Sequence, residues 1–336
     1  MTISYNSGRR IQGTSTVSGG WKELARTTLG STGDTISVAS LADKRYYMVL
    51  GNHLPSGNFR TTYRINNDSG SNYALRKSED GNAENVTTSQ TQIKSGNKDE
   101  ATQYFDVSYL SNLSAQEKLI INHNMRGNTA GASNAPSRVE AYSKWANTSS
   151  VINRIDAVND QGGDYAIGSE VVVLGWDPTD THTTNFWEEL ATASGAGATL
   201  DTGTFTAKKY LWVQCYCKPS SSTGLTANFN SDTSGNYAIR ESINGGSDST
   251  NTSQASTDNL TGSSTGGLFF NMFIINVAGQ EKLWISHGQE NTAGAGTAGD
   301  RKEMVGKWAN TSNSITKIVC NANFGATSEL RVWGSD

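Results

Sequence analysis

The chain alternates short hydrophobic runs with clusters of glycine, asparagine, aspartate and serine. The runs are rich in β-branched and aromatic residues, which is typical of β-strands. They lie at 46–50, 104–109, 119–123, 151–155 and 171–174, and then at 210–216, 268–275, 283–287, 315–319 and 329–333. Closely spaced strands without helical periodicity bury their apolar residues between two sheets. The pattern therefore predicts an all-β fold of antiparallel β-sandwiches, with a jelly roll as the expected version.

The second half of the sequence repeats the first. Lys-Trp-Ala-Asn-Thr-Ser occurs at 144–149 and again at 307–312, and Asn-Thr-Ala-Gly-Ala occurs at 128–132 and again at 291–295. Such blocks keep their order and a nearly constant separation, which is far longer than the roughly 20 to 50 residues of solenoid and propeller repeats. The pattern predicts a tandem duplication in which each copy closes its own core.

The repeats divide the chain into segments. We expect an N-terminal arm at 1–20, a first β-sandwich domain at 21–177, a linker at 178–186 and a second domain at 187–336. The arm is rich in serine, glycine and threonine and has no counterpart before the second copy. The linker is short and polar, and its proline favours an extended backbone.

Composition narrows the class of function. The net charge of -4 gives no basic face for nucleic acid. No apolar stretch approaches the roughly 18 residues of a membrane span, and the N-terminus lacks the apolar core of a secretory signal. We expect a soluble protein that is made in a cytoplasm and binds neither nucleic acid nor membrane.

The cysteines occur in the second copy alone. They are Cys215, Cys217 and Cys320, and the equivalent first-copy residues are Gly51, His53 and Ala157. A disulfide framework would have been duplicated with the fold. We therefore expect reduced thiols that fill the core.

Equivalent residues in the two copies are candidates for a structural turn and core. They are Asp68, Tyr73 and Trp145 in the first copy and Asp232, Tyr237 and Trp308 in the second. The aspartate of such a turn can accept backbone N–H bonds, and the tyrosine ring can fold onto the sheet.

Two other interpretations of these residues remain open. Hard oxygen ligands of the kind that calcium prefers are offered by Asp68, Asn72 and Asp80 and, in the second copy, by Asp232, Asn236 and Asp248, although their spacing does not match an EF-hand loop. The two tryptophans could instead present exposed rings to a sugar. We expect no metal and no cofactor.

Three motifs together resemble a family of tailed-phage virion β-sandwich domains. In the first copy they are Asn-Asp-Ser-Gly-Ser-Asn-Tyr at 67–73, Trp-Ala-Asn-Thr-Ser at 145–149 with the isoleucines that follow it, and the closing strand at 166–175. The resemblance covers nearly all of each copy. Proteins of this family usually contain one such domain, whereas this chain contains two. The segment 7–15 also looks like the N-terminal segments of marine viral proteins.

The resemblance implies a non-enzymatic structural protein on the virion surface, of the capsid decoration or head-appendage type. Its partners would be the major capsid protein or other virion proteins. The arm would order against the capsid, with Arg9, Arg10 and Ile11 as the anchoring residues. A homo-oligomer is expected, and a trimer would present six similar domains.

Alternative functions remain. A tail-fibre module could bind a receptor or a host-surface glycan through the variable loops at 79–85 and 243–251. The two domains could also form the major coat protein of a double-jelly-roll virus. An enzyme is not expected, because the sequence shows no phosphate-binding glycine loop or nucleophile elbow, and no repeated Ser-His-Asp or paired-carboxylate arrangement accompanies His123 and His287.

Overall fold

The computed structural model describes residues 20–96, 100–182, 184–291 and 294–336. These residues form 22 strands, and the named strands pair antiparallel. The predicted all-β fold of two tandem antiparallel β-sandwiches is thereby confirmed. The arm, with Arg9, Arg10 and Ile11, lies outside the described residues apart from Gly20. Among the described residues, no helix is long and apolar enough to cross a membrane.

The first copy contributes strands β1 to β11. They are β1 Lys22–Thr28, β2 Thr35–Ala39, β3 Tyr46–His53, β4 Thr61–Ile65, β5 Tyr73–Glu79, β6 Asn85–Gln90, β7 Tyr104–Ser111, β8 Lys118–Arg126, β9 Ser137–Trp145, β10 Arg154–Asn159 and β11 Glu170–Trp176. An 8-stranded sheet has the order β1-β11-β3-β7-β8-β9-β5-β6, and a 3-stranded sheet has the order β2-β10-β4.

The second copy contributes strands β12 to β22 in the same topology. They are β12 Glu188–Ser194, β13 Gly197–Asp201, β14 Tyr210–Cys217, β15 Thr226–Phe229, β16 Tyr237–Ile243, β17 Ser249–Gln254, β18 Leu268–Ile275, β19 Lys282–Glu290, β20 Arg301–Trp308, β21 Ile318–Phe324 and β22 Glu329–Ser335. The 8-stranded sheet runs β12-β22-β14-β18-β19-β20-β16-β17 and the 3-stranded sheet runs β13-β21-β15. The duplication therefore extends to strand order.

Each copy has its own hydrophobic core between its large and small sheets. In the first, residues such as Ile36 of β2 and Ile155 of β10 pack with Val49 and Val173 of the large sheet. The second core includes the three predicted cysteine fillers, which are buried free thiols. Burying both inner faces is what stabilises a two-layer fold.

The chain forms two compact units in space. Of the residues that the structure describes, unit 1 contains those of 20–126 and 138–186, and unit 2 contains those of 127–137 and 187–336. The segment Gly127–Ser137 connects β8 to β9 of the first copy along the chain, yet it is part of unit 2. We call this segment loop 1.

Two strands begin later than the hydrophobic pattern indicates. Strand β10 starts at Arg154 although Ile152 is fully buried, and β21 starts at Ile318 although Ile315 is fully buried. The Ile152 N–H donates to Asn112 Oδ1 at 2.8 Å. An asparagine side chain thus accepts the backbone N–H that a neighbouring strand would otherwise accept. Ile152 is therefore buried although the chain joins the sheet only two residues later.

Candidate functional site

The aspartate turn of the first copy is closed by side-chain hydrogen bonds. Asp68 Oδ1 accepts the Gly70 N–H at 2.8 Å, and Asp68 Oδ2 accepts Asn72 Nδ2 at 2.9 Å. Trp145 Nε1 donates to the same Oδ2 at 2.7 Å. Tyr73 pairs with Trp145 across β5 and β9, and its hydroxyl accepts the Ile65 N–H at 3.0 Å. The turn is therefore tied to both sheets.

The second copy reproduces this network atom for atom. Asp232 Oδ2 accepts Trp308 Nε1 at 2.7 Å and Asn236 Nδ2 at 2.8 Å, and Asp232 Oδ1 accepts the Ser234 N–H at 2.9 Å. The Tyr237 hydroxyl accepts the Phe229 N–H at 2.8 Å. The structure brings all three predicted residues of each copy together.

The network bears on both alternative interpretations of these residues. Trp145 and Trp308 are each 1% exposed, so neither ring can stack on a sugar and that alternative is wrong. Both oxygens of Asp68 accept N–H donors, so hydrogen bonds within the chain close this turn.

The turn aspartates make stability depend on pH. Burial raises the pKa of Asp232, but the hydrogen bonds that it accepts from Asn236, Trp308 and Ser234 outweigh burial and lower the pKa below its ordinary value. The pKa of Asp68 is lowered in the same way, by hydrogen bonds from Trp145, Asn72 and Gly70. A carboxyl with a lowered pKa stabilises the fold above the unfolded pKa of about 3.9, and that contribution is lost as pH falls through the folded pKa.

We therefore expect the stability advantage of the wild type over the Asp232→Asn variant to shrink as the pH is lowered from about 6 to about 3. Urea unfolding of both proteins across this range measures it. The Asp68→Asn variant should behave in the same way. A difference in unfolding free energy that stays constant with pH would contradict the role assigned to the carboxylate.

Unit 1 also buries a polar cluster that the sequence analysis missed. The Tyr63 hydroxyl lies 2.9 Å from both carboxylate oxygens of Asp106. His53 Nε2 lies 3.2 Å from Asp106 Oδ1, and Asn122 Nδ2 lies 3.3 Å from Oδ2. Burial and the neighbouring Asp106 raise the pKa of Tyr63 well above its ordinary value, so its hydroxyl remains a donor.

Unit 2 replaces most of this cluster with apolar residues: Cys217, Ala227 and Phe270 stand at the positions of His53, Tyr63 and Asp106, and Ser286 stands at that of Asn122. Opposite Asp106 lies Gly51, where a Cβ would stand 2.2 Å from Asp106 Oδ1. The equivalent pair in unit 2 is Cys215 and Phe270. A comparison of the copies could have found the cluster, because the positions of His53, Tyr63 and Asp106 are polar in the first copy and apolar in the second. Since His53 and Asp106 are fully buried, they are placed for packing and not for contact with a substrate.

The outward face of the large sheet of unit 1 exposes large apolar side chains. Leu119 and Ile121 alternate with buried residues along β8 and are 58% and 43% exposed, and Tyr142 of β9 is 52% exposed. Arg76 pairs with Tyr142 across the sheet, and Lys144 lies two residues beyond it. We call Arg76, Leu119, Ile121, Tyr142 and Lys144 the open face.

The same positions are covered in unit 2. Leu283 is 0% exposed, Ile285 is 4% and Val305 is 1%. Arg240, Val305 and Ile285 form one row across three strands, and Leu283 pairs with Lys307 in the next row. We call Arg240, Leu283, Ile285, Val305 and Lys307 the covered face.

Loop 1 is bonded to the covered face through its backbone. Lys307 Nζ donates to Gly127 O at 2.9 Å and to Thr129 O at 2.6 Å. Arg240 Nε donates to Pro136 O at 2.8 Å. Two further bonds lie beside this face, where the Gly131 N–H donates to Glu281 Oε1 at 2.6 Å and the Ser253 N–H donates to Ala132 O at 2.8 Å.

The two equivalent lysines consequently differ in environment. The Lys307 side chain is 0% exposed and lies 3.4 Å from Glu281, whereas Lys144 is 45% exposed and lies 2.8 Å from Glu117. Burial lowers the pKa of Lys307, and Glu281 opposes this change. The backbone carbonyls of loop 1 supply the remaining acceptors that a buried ammonium requires.

We expect Lys307→Met to lower the free energy of unfolding by about 2 kcal/mol, because the carbonyls of loop 1 lose their donor inside unit 2. Lys144→Met, the matched variant in unit 1, should change it by less than about 0.5 kcal/mol, as exposed ion pairs contribute little. Urea unfolding followed by circular dichroism compares the two. Equal effects would show that burial of Lys307 does not contribute to stability.

A polar cleft in unit 1 has a volume of ≈ 410 Å³. Its lining includes Arg60, Lys77 and Lys94 together with Glu79, Asn82 and Asn85. The cleft thus contains part of the variable loop at 79–85 that the sequence analysis singled out. In unit 2 the positions of Lys77 and Lys94 carry Glu241 and Asp258.

Comparisons with known proteins leave the family open. No family model matches the sequence, and no curated protein matches it. Among solved structures, the chain is similar to domains LG4-5 of the mouse laminin alpha1 chain, with 10% identity over 98% of this chain and 93% of that chain and a TM-score of 0.20. It is also similar to Ail, the attachment invasion locus protein of Yersinia pestis, with 8% identity, coverage of 82% and 99%, and a TM-score of 0.15. Such low TM-scores carry no argument about fold or function.

Proposed function

We propose that this protein is a non-enzymatic structural protein of a virus particle surface, of the capsid decoration or head-appendage type. A role in assembly with other proteins is supported above all by the open face. Leu119, Ile121 and Tyr142 are exposed on one face of the large sheet, whereas their counterparts in unit 2 are buried. A contiguous exposed apolar surface with charged neighbours is typical of a protein–protein contact.

Assignment of the partner to a virion is supported by the sequence resemblance to phage surface domains. Each copy matches the three motifs, and the turn motif forms the same closed network twice. The arm at 1–20 is the proposed attachment to the major capsid protein, through Arg9, Arg10 and Ile11. The protein would be made in the host cytoplasm and assembled onto the particle.

The number of copies per purified particle tests this proposal. Quantitative mass spectrometry against the major capsid protein should give a ratio near one or a simple fraction. A protein that lacks the arm at 1–20 should keep its β-structure but fail to join particles. Absence of the full-length protein from particles would overturn the virion assignment, and normal occupancy of the truncated protein would overturn the role of the arm.

A second candidate function is binding of an acidic host-surface glycan in the unit 1 cleft. Arg60, Lys77 and Lys94 supply positive charge, and Asn82 and Asn85 supply amide groups for sugar hydroxyls. A glycan array with wild-type protein and with a Lys77→Glu, Lys94→Asp variant tests it, since these substitutions copy unit 2. Binding above background that the variant loses would support the glycan function, and no binding by the wild type would reject it.

A further inference from the structure

The segment that connects β19 to β20 in the second copy is the counterpart of loop 1, and both contain Asn-Thr-Ala-Gly-Ala in their sequence. We call its described residues at 294–300 loop 2. Gly131 of loop 1 has φ +95° and Gly294 of loop 2 has φ +91°, so the backbone turns in the same direction at the same position. Whereas loop 1 is bonded to the covered face, the loop 2 residues from Gly294 to Ala298 are exposed.

The open face of unit 1 has the groups that hold loop 1 in unit 2. Lys144 and Glu117 form an ion pair that corresponds to Lys307 and Glu281. Arg76 occupies the position of Arg240. Ser89 of β6 is exposed with φ +51°, and its counterpart Ser253 has φ +52°. The open face therefore has both the charges and the backbone geometry that bind the loop motif.

The contacts of loop 1 depend mainly on backbone atoms, which the shared motif preserves. On the open face, the Gly294 N–H would donate to Glu117, and Ala295 O would accept the Ser89 N–H. Gly299 O would accept a guanidinium N–H of Arg76, as Pro136 O does from Arg240. Leu119, Ile121 and Tyr142 would lose their exposure, like their counterparts.

We propose that loop 2 of one chain binds the open face of unit 1 in a second copy of this chain, so that copies associate head to tail. A second copy is the occupant because loop 2 and the open face are both exposed in a single chain. Such a heterologous contact leaves one loop and one face free on the terminal subunits, so copies add until a ring closes or a filament grows. This inference deepens the proposed structural role and rests on it for its biological meaning.

Sedimentation velocity of the purified full-length chain tests the contact. The wild type should form oligomers larger than dimers as the concentration rises from about 1 to about 100 μM. Lys144→Glu reverses a charge on the open face, and Gly294→Val disturbs loop 2 at an exposed position with space for the side chain. Each variant should weaken association by at least about tenfold, which corresponds to about 1.4 kcal/mol.

A mixture of the two variants gives the decisive result. The Lys144→Glu chain retains its loop 2 and the Gly294→Val chain retains its open face, so the mixture should form a 1:1 dimer and nothing larger. The Ile167→Ser control, at an exposed apolar residue on another surface, should associate like the wild type. A wild type that stays monomeric, variants that associate normally, or a mixture that stays monomeric would each overturn the inference. Because no particles are used, this failure is distinct from absence of the protein from virions.

Discussion

Replacing Asp106 with alanine is expected to lower the free energy of unfolding of unit 1 by about 3–5 kcal/mol. The Asp106 carboxylate is fully buried and accepts the Tyr63 hydroxyl at 2.9 Å and Asn122 Nδ2 at 3.3 Å. Removing it leaves these donors and His53 in the core without their acceptor. The cost of an unpaired buried polar group exceeds the net contribution of the bond that is lost. Urea unfolding followed by circular dichroism gives the change.

Unit 2 supplies the matched control for this prediction. A variant that combines Gly51→Cys, His53→Cys, Tyr63→Ala and Asp106→Phe copies the apolar residues of unit 2 into unit 1. Because these residues already pack together in the second core, the combined variant should recover most of the stability that Asp106→Ala loses. Asp106→Ala with a loss below about 1 kcal/mol would contradict the importance of the cluster.

Gly306→Ser is expected to destabilise unit 2 by about 3 kcal/mol or more. Gly306 pairs directly with Trp284, and a Cβ at this glycine would stand 2.0 Å from Trp284 Cζ2. The indole is fully buried and cannot move aside without displacing the core. In unit 1 the same positions carry Ser143 and Ile120, a smaller side chain opposite a serine. The larger side chain on one strand is thus matched by the smaller residue on its neighbour in each copy.

The double variant Gly306→Ser, Trp284→Ile tests this interpretation. Trp284→Ile alone should leave a cavity and lower stability, but the pair should be more stable than Gly306→Ser alone, because isoleucine leaves room for the serine. Urea unfolding of the two single variants and the double variant gives their coupling energy. Ser143→Ala in unit 1 should cost less than about 1 kcal/mol. Additive effects of the two substitutions would show that the two side chains do not compete for space.

The large-effect substitutions differ from those that test assembly. Asp106 and Gly306 act within the core of one copy, where packing leaves no room for adjustment. Lys144 and Gly294 lie at the surface, and their substitution should change association while the fold remains intact. Stability and assembly can therefore be measured independently in the same protein.

The hydrophobic runs predicted some of the strands that contribute to the core, whereas others, such as β2 with Ile36 and β4 with Ile65, lie outside the predicted runs. Strands such as β3 and β18 coincide with apolar runs. The polar strands β6 and β17 lie at the edges of the large sheets and have the sequences NVTTSQ and STNTSQ. Residues of an edge strand face solvent on more sides, so they need no alternation of apolar residues. Their pairing is set by the neighbouring strand and is absent from the local sequence.

The sequence by itself determined the class of fold, the duplication and the aspartate of each turn. These features depend on alternation along strands and on residues that recur in both copies, such as Asp68 and Asp232. Tertiary structure alone decided which of two nearly identical surfaces is covered. Lys144 and Lys307 share their residue type and their flanking tryptophan, yet one is half exposed and the other is fully buried. Burial depends on what lies across the sheet, and for Lys307 a loop distant along the chain provides that contact.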